Sequence, residues 1–119
     1  MERAQKQQKA LAILDRLRTC LDLSQEDLGT MFGATGEDVR AWESGAAEIP
    51  ELTFARLVSA DGALDRMLWL FRPDRLPQVI RRRAEAFNGE RALEWIFDGR
   101  IADVADRYDS GLAYQRRSA

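Results

Sequence analysis

Between Ser24 and Pro50 a single basic residue, Arg40, faces six acids: Glu26, Asp27, Glu37, Asp38, Glu43 and Glu48. Acid–base or nucleophilic catalysis needs a nucleophile, a base and an orienting group at close range. The chain has no His, one Cys and no glycine-rich phosphate loop after a strand, so no such set is visible and an enzyme is not expected. Cys20 falls on or near an apolar helical stripe, where a thiol packs as a small hydrophobe. The same shortage removes the common zinc and haem ligand sets, and no cofactor is expected. What remains is the chemistry of recognition. Arg40 can pair with guanine and Glu37 can accept from cytosine. Trp95, Phe97, Tyr108 and Tyr114 crowd four large aromatics into twenty residues. Tyr and Trp are favoured at interfaces because they bring area and a polar handle. The run RPDRLPQVIRRR (residues 72–83) carries five arginines and one acid, which reads first as a solvated face.

These residues must be positioned by helices. Leu11, Leu14, Leu17 and Leu21 recur at spacings of three and four, with Ile13 and Cys20 widening the stripe, which predicts one amphipathic helix over 4–21. Ser24 with Asp27, and Thr35 with Asp38, place a hydroxyl and a carboxylate where a helix start needs them. Helices are therefore predicted over 24–32 and 35–44, split at Gly33 and ended at Gly45. Pro50 suits the first turn of a fourth helix, with a bend near Asp61-Gly62 and a second apolar run from Leu64 to Phe71. A further helix is predicted to start within 72–83. Asn88-Gly89 and Asp98-Gly99 punctuate the rest, and Ile101, Val104, Ala105, Tyr108 and Leu112 form the face of a terminal helix. Nothing alternates with period two over a useful length, so the fold class is all-α.

With its Gly-containing turn, the pair at 24–44 has the spacing of a helical hairpin. Its residues are more specific: SQEDL, FGAT, VRAWESG and then a proline resemble the Xre/lambda-repressor-type helix-turn-helix. That resemblance implies that Gln25 contacts backbone phosphate, and that Thr35, Gly36, Glu37 and Arg40 meet base edges in the major groove. After Trp42-Glu43-Ser44-Gly45, where that family often carries Lys or Arg, this chain has Ala46-Ala47-Glu48. Missing cations weaken phosphate contact before specificity is considered. Two uses stay open: a weak or assembly-dependent DNA reader, or a scaffold kept for another task.

The later half carries a second resemblance. WLFRPDRLP followed by NGERALEWIFDGRIADVADRYDSGLAY is similar to the toxin-binding domain of Xre/MbcA/ParS-type antitoxins. Trp69, Leu70, Pro73 and Leu76 match its opening; Ala92-Leu93 and Asp98-Gly99 its middle; Val104, Tyr108, Gly111 and Tyr114 its end. The usual proline of the middle element is missing from Gly89-Glu90-Arg91-Ala92. The resemblance implies a RES-domain toxin that degrades NAD as partner, covered by Trp95, Phe97, Arg100, Ile101, Tyr108, Leu112 and Tyr114. The tail GLAYQRRSA would approach the toxin's cleft with Tyr114 as anchor, while Arg116 and Arg117 read as a solubilising terminus.

The 119 residues allow one compact domain or two very small ones, and 45% apolar content is enough for a core. The expected division is 1–62, the Xre-like helix-turn-helix region, and 63–119, a small helical toxin-binding domain. Residues 1–50 hold six Lys/Arg against nine Asp/Glu, and residues 51–119 hold twelve against eleven. No basic field covers the chain, which disfavours strong non-specific nucleic-acid binding. No apolar run suits a membrane and no signal peptide is visible, so the cytoplasm is the expected setting. The two resemblances together imply an antitoxin that sterically inhibits a RES-domain toxin, with weak operator binding and a homodimer or hetero-oligomer as its assembly. The alternative is a transcriptional repressor whose C-terminal part only dimerises.

Overall fold

The computed structural model describes residues 2–118, with side chains described as far as Gly111. Its helices are α1 (Arg3–Leu21), α2 (Gln25–Met31), α3 (Gly36–Ser44), α4 (Glu51–Leu70), α5 (Leu76–Val79), α6 (Ala92–Phe97) and α7 (Ile101–Ser118). A 3-10 turn, Glu85–Phe87, lies between α5 and α6. Among the described residues there is no strand, only an isolated bridge between Arg83 and Arg91. No helix among them is long and apolar enough to cross a membrane.

The predicted starts and stops of the first three helices hold for local reasons. Ser24 Oγ accepts the Asp27 amide while Asp27 accepts the Ser24 amide, a reciprocal cap that satisfies two otherwise orphaned donors. Thr35 and Asp38 repeat the arrangement at α3. Gly33 between the helices and Gly45 after α3 adopt left-handed backbone, where a Cβ is strained. α1 buries Ala10, Ile13, Leu14, Leu17 and Leu21.

Asp61-Gly62 does not bend the chain; α4 runs unbroken from Glu51 to Leu70. Arg16 of α1 forks onto Asp61 (2.5 Å) and Asp65, one helical turn apart, and so clasps the turn that contains Gly62. Five buried residues, Leu57, Ala60, Ala63, Leu64 and Met67, then keep one face of α4 inward on both sides of the glycine. The expected division at 62/63 therefore falls inside a helix. The buried residues, from Ala10 of α1 to Ala105 of α7, form one cluster across it. α4 packs that inward face against both α1 and α7.

The helix predicted within 72–83 is a single turn, α5. Beyond it the backbone groups are taken by the returning chain. The Leu93 amide donates to Ile80 O (3.0 Å) and the Ala84 amide to Glu90 O (3.1 Å). Arg81 reaches back to the end of α1, donating to Leu21 O (2.9 Å) and Asp22 O (2.7 Å). A cation there satisfies terminal carbonyls and suits the negative end of the helix dipole. Part of the basic run is thus structural rather than a solvated face.

Candidate protein-binding and nucleic-acid-binding surfaces

The first surface is the outer side of α2 and α3. The two helices meet at backbone distance: a Cβ on Gly29 would lie 2.5 Å from the carbonyl carbon of Thr35, so only glycine fits the crossing. The structure brings Gln25 and Arg40 together. The Gln25 amide nitrogen donates to Glu43 Oε1 (2.7 Å), and Gln25 Oε1 accepts from Arg40 Nη1 (3.3 Å). Arg40 Nη1 also donates to Glu26 Oε1 (2.9 Å), and Arg18 of α1 lies 3.6 Å from Glu43 Oε2. Two cations and two carboxylates therefore cancel across Arg18, Glu43, Gln25, Arg40 and Glu26. The Arg40 guanidinium, hydrogen-bonded to it, holds the Glu26 carboxyl below its ordinary value.

Thr35 is exposed, but its hydroxyl is committed to the cap of α3. Gly36 is buried against Glu26, whose carboxylate oxygen would sit 2.7 Å from an added Cβ. Glu37 is exposed on the first turn of α3. The one cation of the α3 face is thus already paired, and the free charge beside it is negative. Glu26 and Glu43 act as clamps on Arg40 and Gln25. The sequence showed them only as part of an acidic balance, because their partners lie fourteen and eighteen residues away.

The second surface is the C-terminal hairpin of α6 and α7. Left-handed Gly99 joins the two helices, with its amide donating to Ile96 O (3.0 Å) and that of Arg100 to Trp95 O (2.9 Å). Trp95 and Ile101, expected on an exposed surface, are core residues, at 5% and 4% exposure. The reason is help from outside the hairpin. Phe87 of the 3-10 turn meets Trp95 and Tyr108 edge-to-face, each at 5.2 Å, and Phe71 at the end of α4 meets Tyr108 at 4.9 Å. Tyr108 is half-buried and Phe97 packs against the core from its edge. Burial pushes the Tyr108 phenol up to about 12.

Arg100 is exposed, pairs with Asp103 at 2.9 Å, and lays its guanidinium 4.1 Å from the Trp95 ring centroid. Arg107 lies 5.0 Å from the same ring and donates to Ala86 O (3.0 Å). The Trp95 indole N–H donates to Glu90 Oε2 (3.0 Å), so its one polar atom is satisfied inside the chain. Arg100, Asp103, Asp106, Arg107 and Ser110 line a shallow outward depression of about 250 Å³. Leu112 and Tyr114, with Arg116 and Arg117, lie outside the residues whose side chains are described.

Sequence reasoning missed Trp69 as a surface. It fits the WLFRP pattern, yet its side chain is 89% exposed, the largest apolar group left open among the described residues. Finding it needs α4 to be continuous, which the Asp61-Gly62 pair argues against locally. Among the described residues no cluster of His, Cys, Asp or Glu could hold a metal ion. No protein-family model, curated protein or solved structure matches the chain.

Proposed function

We propose that the chain is an antitoxin that binds and sterically inhibits a RES-domain, NAD-degrading toxin, with weak binding of operator DNA as a second activity. One observation carries the choice of a protein partner over DNA as the main target. The α3 face presents a cation already neutralised by Glu26, and the charge left free beside it, Glu37, is negative. A polyanion gains little from a face whose net free charge is negative. The order of the antitoxin-like motifs along the chain supports the same reading.

Burial of Trp95 and Ile101 moves the proposed inhibitory surface outward. It consists of the Arg100–Arg107 side of α7 and the segment after Gly111, with Tyr114 as anchor. The test is co-expression with a RES-domain toxin, sought first in the reading frame next to this one. A version ending at Gly111 keeps every described core residue, so it should fold but fail to protect growth. Protection that survives this truncation, with the two proteins still co-purifying, overturns the proposed surface.

The α2–α3 pair supports the DNA activity through its glycine-tight crossing and its capped reading helix. Glu26→Gln removes the clamp from Arg40. In gel shifts with the adjacent promoter it should tighten binding and steepen the salt dependence by about one counterion. Nanomolar affinity of the unmodified free chain at physiological salt would instead favour the repressor reading.

A further inference from the structure

We infer that the outer face of α4 is a homodimer interface, on which a second copy of this chain packs its own α4 antiparallel about Gly62. The inference does not rest on the proposed function. Ala55, Val58, Gly62, Asp65 and Trp69 follow one another at spacings of three, four, three and four, which aligns them along one side of the helix. All five are exposed, with Val58 at 39% and Trp69 at 89%. The opposite side of the same helix carries Leu57, Ala60, Leu64 and Met67 into the core. The exposed large apolar side chains of α4, Leu52, Val58 and Trp69, therefore lie off the face that its own chain buries.

The occupant is identified by how the seam matches itself. Trp69 lies seven residues after Gly62 and Ala55 seven before it, each about 10 Å along the axis from the glycine. A two-fold axis at Gly62 sets the largest side chain of one copy over the smallest apolar one of the other. Leu52, 63% exposed, and Val58 flank that position. The same axis sets Asp65 opposite Ser59 and Arg66 opposite Val58, so no like charges meet. The two Asp65 carboxylates stay about 9 Å apart along the helices. Each is already paired with Arg16 of its own chain, and Arg66 with Asp106 and Asp109 of its own. A foreign helix would not require the two ends of this seam to complement each other.

Gly62 fits the same arrangement. It sits inside a long helix, where glycine is unfavourable, and an added Cβ would meet nothing within 4 Å in its own chain. At the crossing point of two helices, the missing side chain allows close approach. One helix pair covers less than the roughly 800 Å² per partner of a standard interface, so the dimer is sought at concentrations on the order of micromolar and above.

The experiment uses the full chain. Sedimentation velocity from low to high micromolar concentration should show a monomer–dimer equilibrium, and Trp69→Ala should leave a monomer with unchanged far-UV circular dichroism. Trp42 and Trp95 are buried, so a blue shift of tryptophan emission with concentration reports Trp69. In a Cys20→Ala background, Gly62→Cys should form a disulfide-linked dimer roughly tenfold faster than Thr19→Cys, which lies on exposed α1 surface. Any of three results overturns the inference: a monomer at all concentrations, a dimer that persists in Trp69→Ala, or equal cross-linking at positions 62 and 19. An emission shift that appears only when a RES-domain protein is added would give the face to that partner instead.

Discussion

The two helical hairpins of this chain are held together by opposite means. α2 and α3 rely on local devices: two reciprocal caps, a left-handed glycine turn and a backbone crossing that only Gly29 permits. α6, which packs on α7, begins without a side-chain cap. The two helices depend on rings brought from elsewhere, Phe71 from the end of α4 and Phe87 from the 3-10 turn, set edge-to-face against Trp95 and Tyr108. The first hairpin is held by its own residues. The second is held by its neighbours.

The largest test of this contrast is Phe87→Ala. It removes a fully buried ring that two other rings touch edge-to-face. A loss of about 3–5 kcal/mol is expected in urea unfolding, together with loss of the near-UV signal of Trp95. A cost no greater than that of a helix cap would mean that the aromatic cluster does not hold the hairpin.

Glycine substitutions come next, and their signs should differ. Gly29→Ala drives a methyl group into the Thr35 backbone and should cost about 3 kcal/mol, because backbone atoms cannot swing aside. Gly62→Ala meets open space inside a helix and should stabilise the monomer by about 1 kcal/mol, while weakening the proposed dimer. Denaturation midpoints measured at low concentration separate the two; equal effects would remove the argument for a glycine-only crossing.

The smallest effect is a pH dependence confined to the second hairpin. Tyr108 ionises at about 12 in the folded chain, against an ordinary value of 10.0. Between these values the unfolded state has lost the phenolic proton and the folded state keeps it, so stability falls as pH rises from 10 toward 12. Partial exposure of the ring reduces the size of the slope. Tyr108→Phe should flatten it, and absorbance titration should find one of the two tyrosines ionising late. Identical slopes in the two proteins would place the effect elsewhere.

Local order explains what could be read early. Ser24/Asp27, Thr35/Asp38, Gly33, Gly45 and Gly99 each act within a few residues, so their roles follow from short spacings. The misreadings come from contacts over long separations. Asp61-Gly62 looks like a bend until Arg16, forty-five residues earlier, clasps both sides of it. The aromatics of 95–108 look too many for a terminal hairpin until Phe71 and Phe87 join them. Arg81 looks like one more solvated charge until it is found on the last carbonyls of α1.

By itself the sequence determined an all-helical chain and the limits of its first three helices, because caps, glycine turns and apolar periodicity act locally. Only the tertiary structure decided that α4 is one helix through Gly62, that Arg40 is clamped by Glu26, and that Trp95 and Ile101 lie inside while Trp69 lies outside. Each of these depends on which distant side chain arrives at a given face, and chain packing alone fixes that.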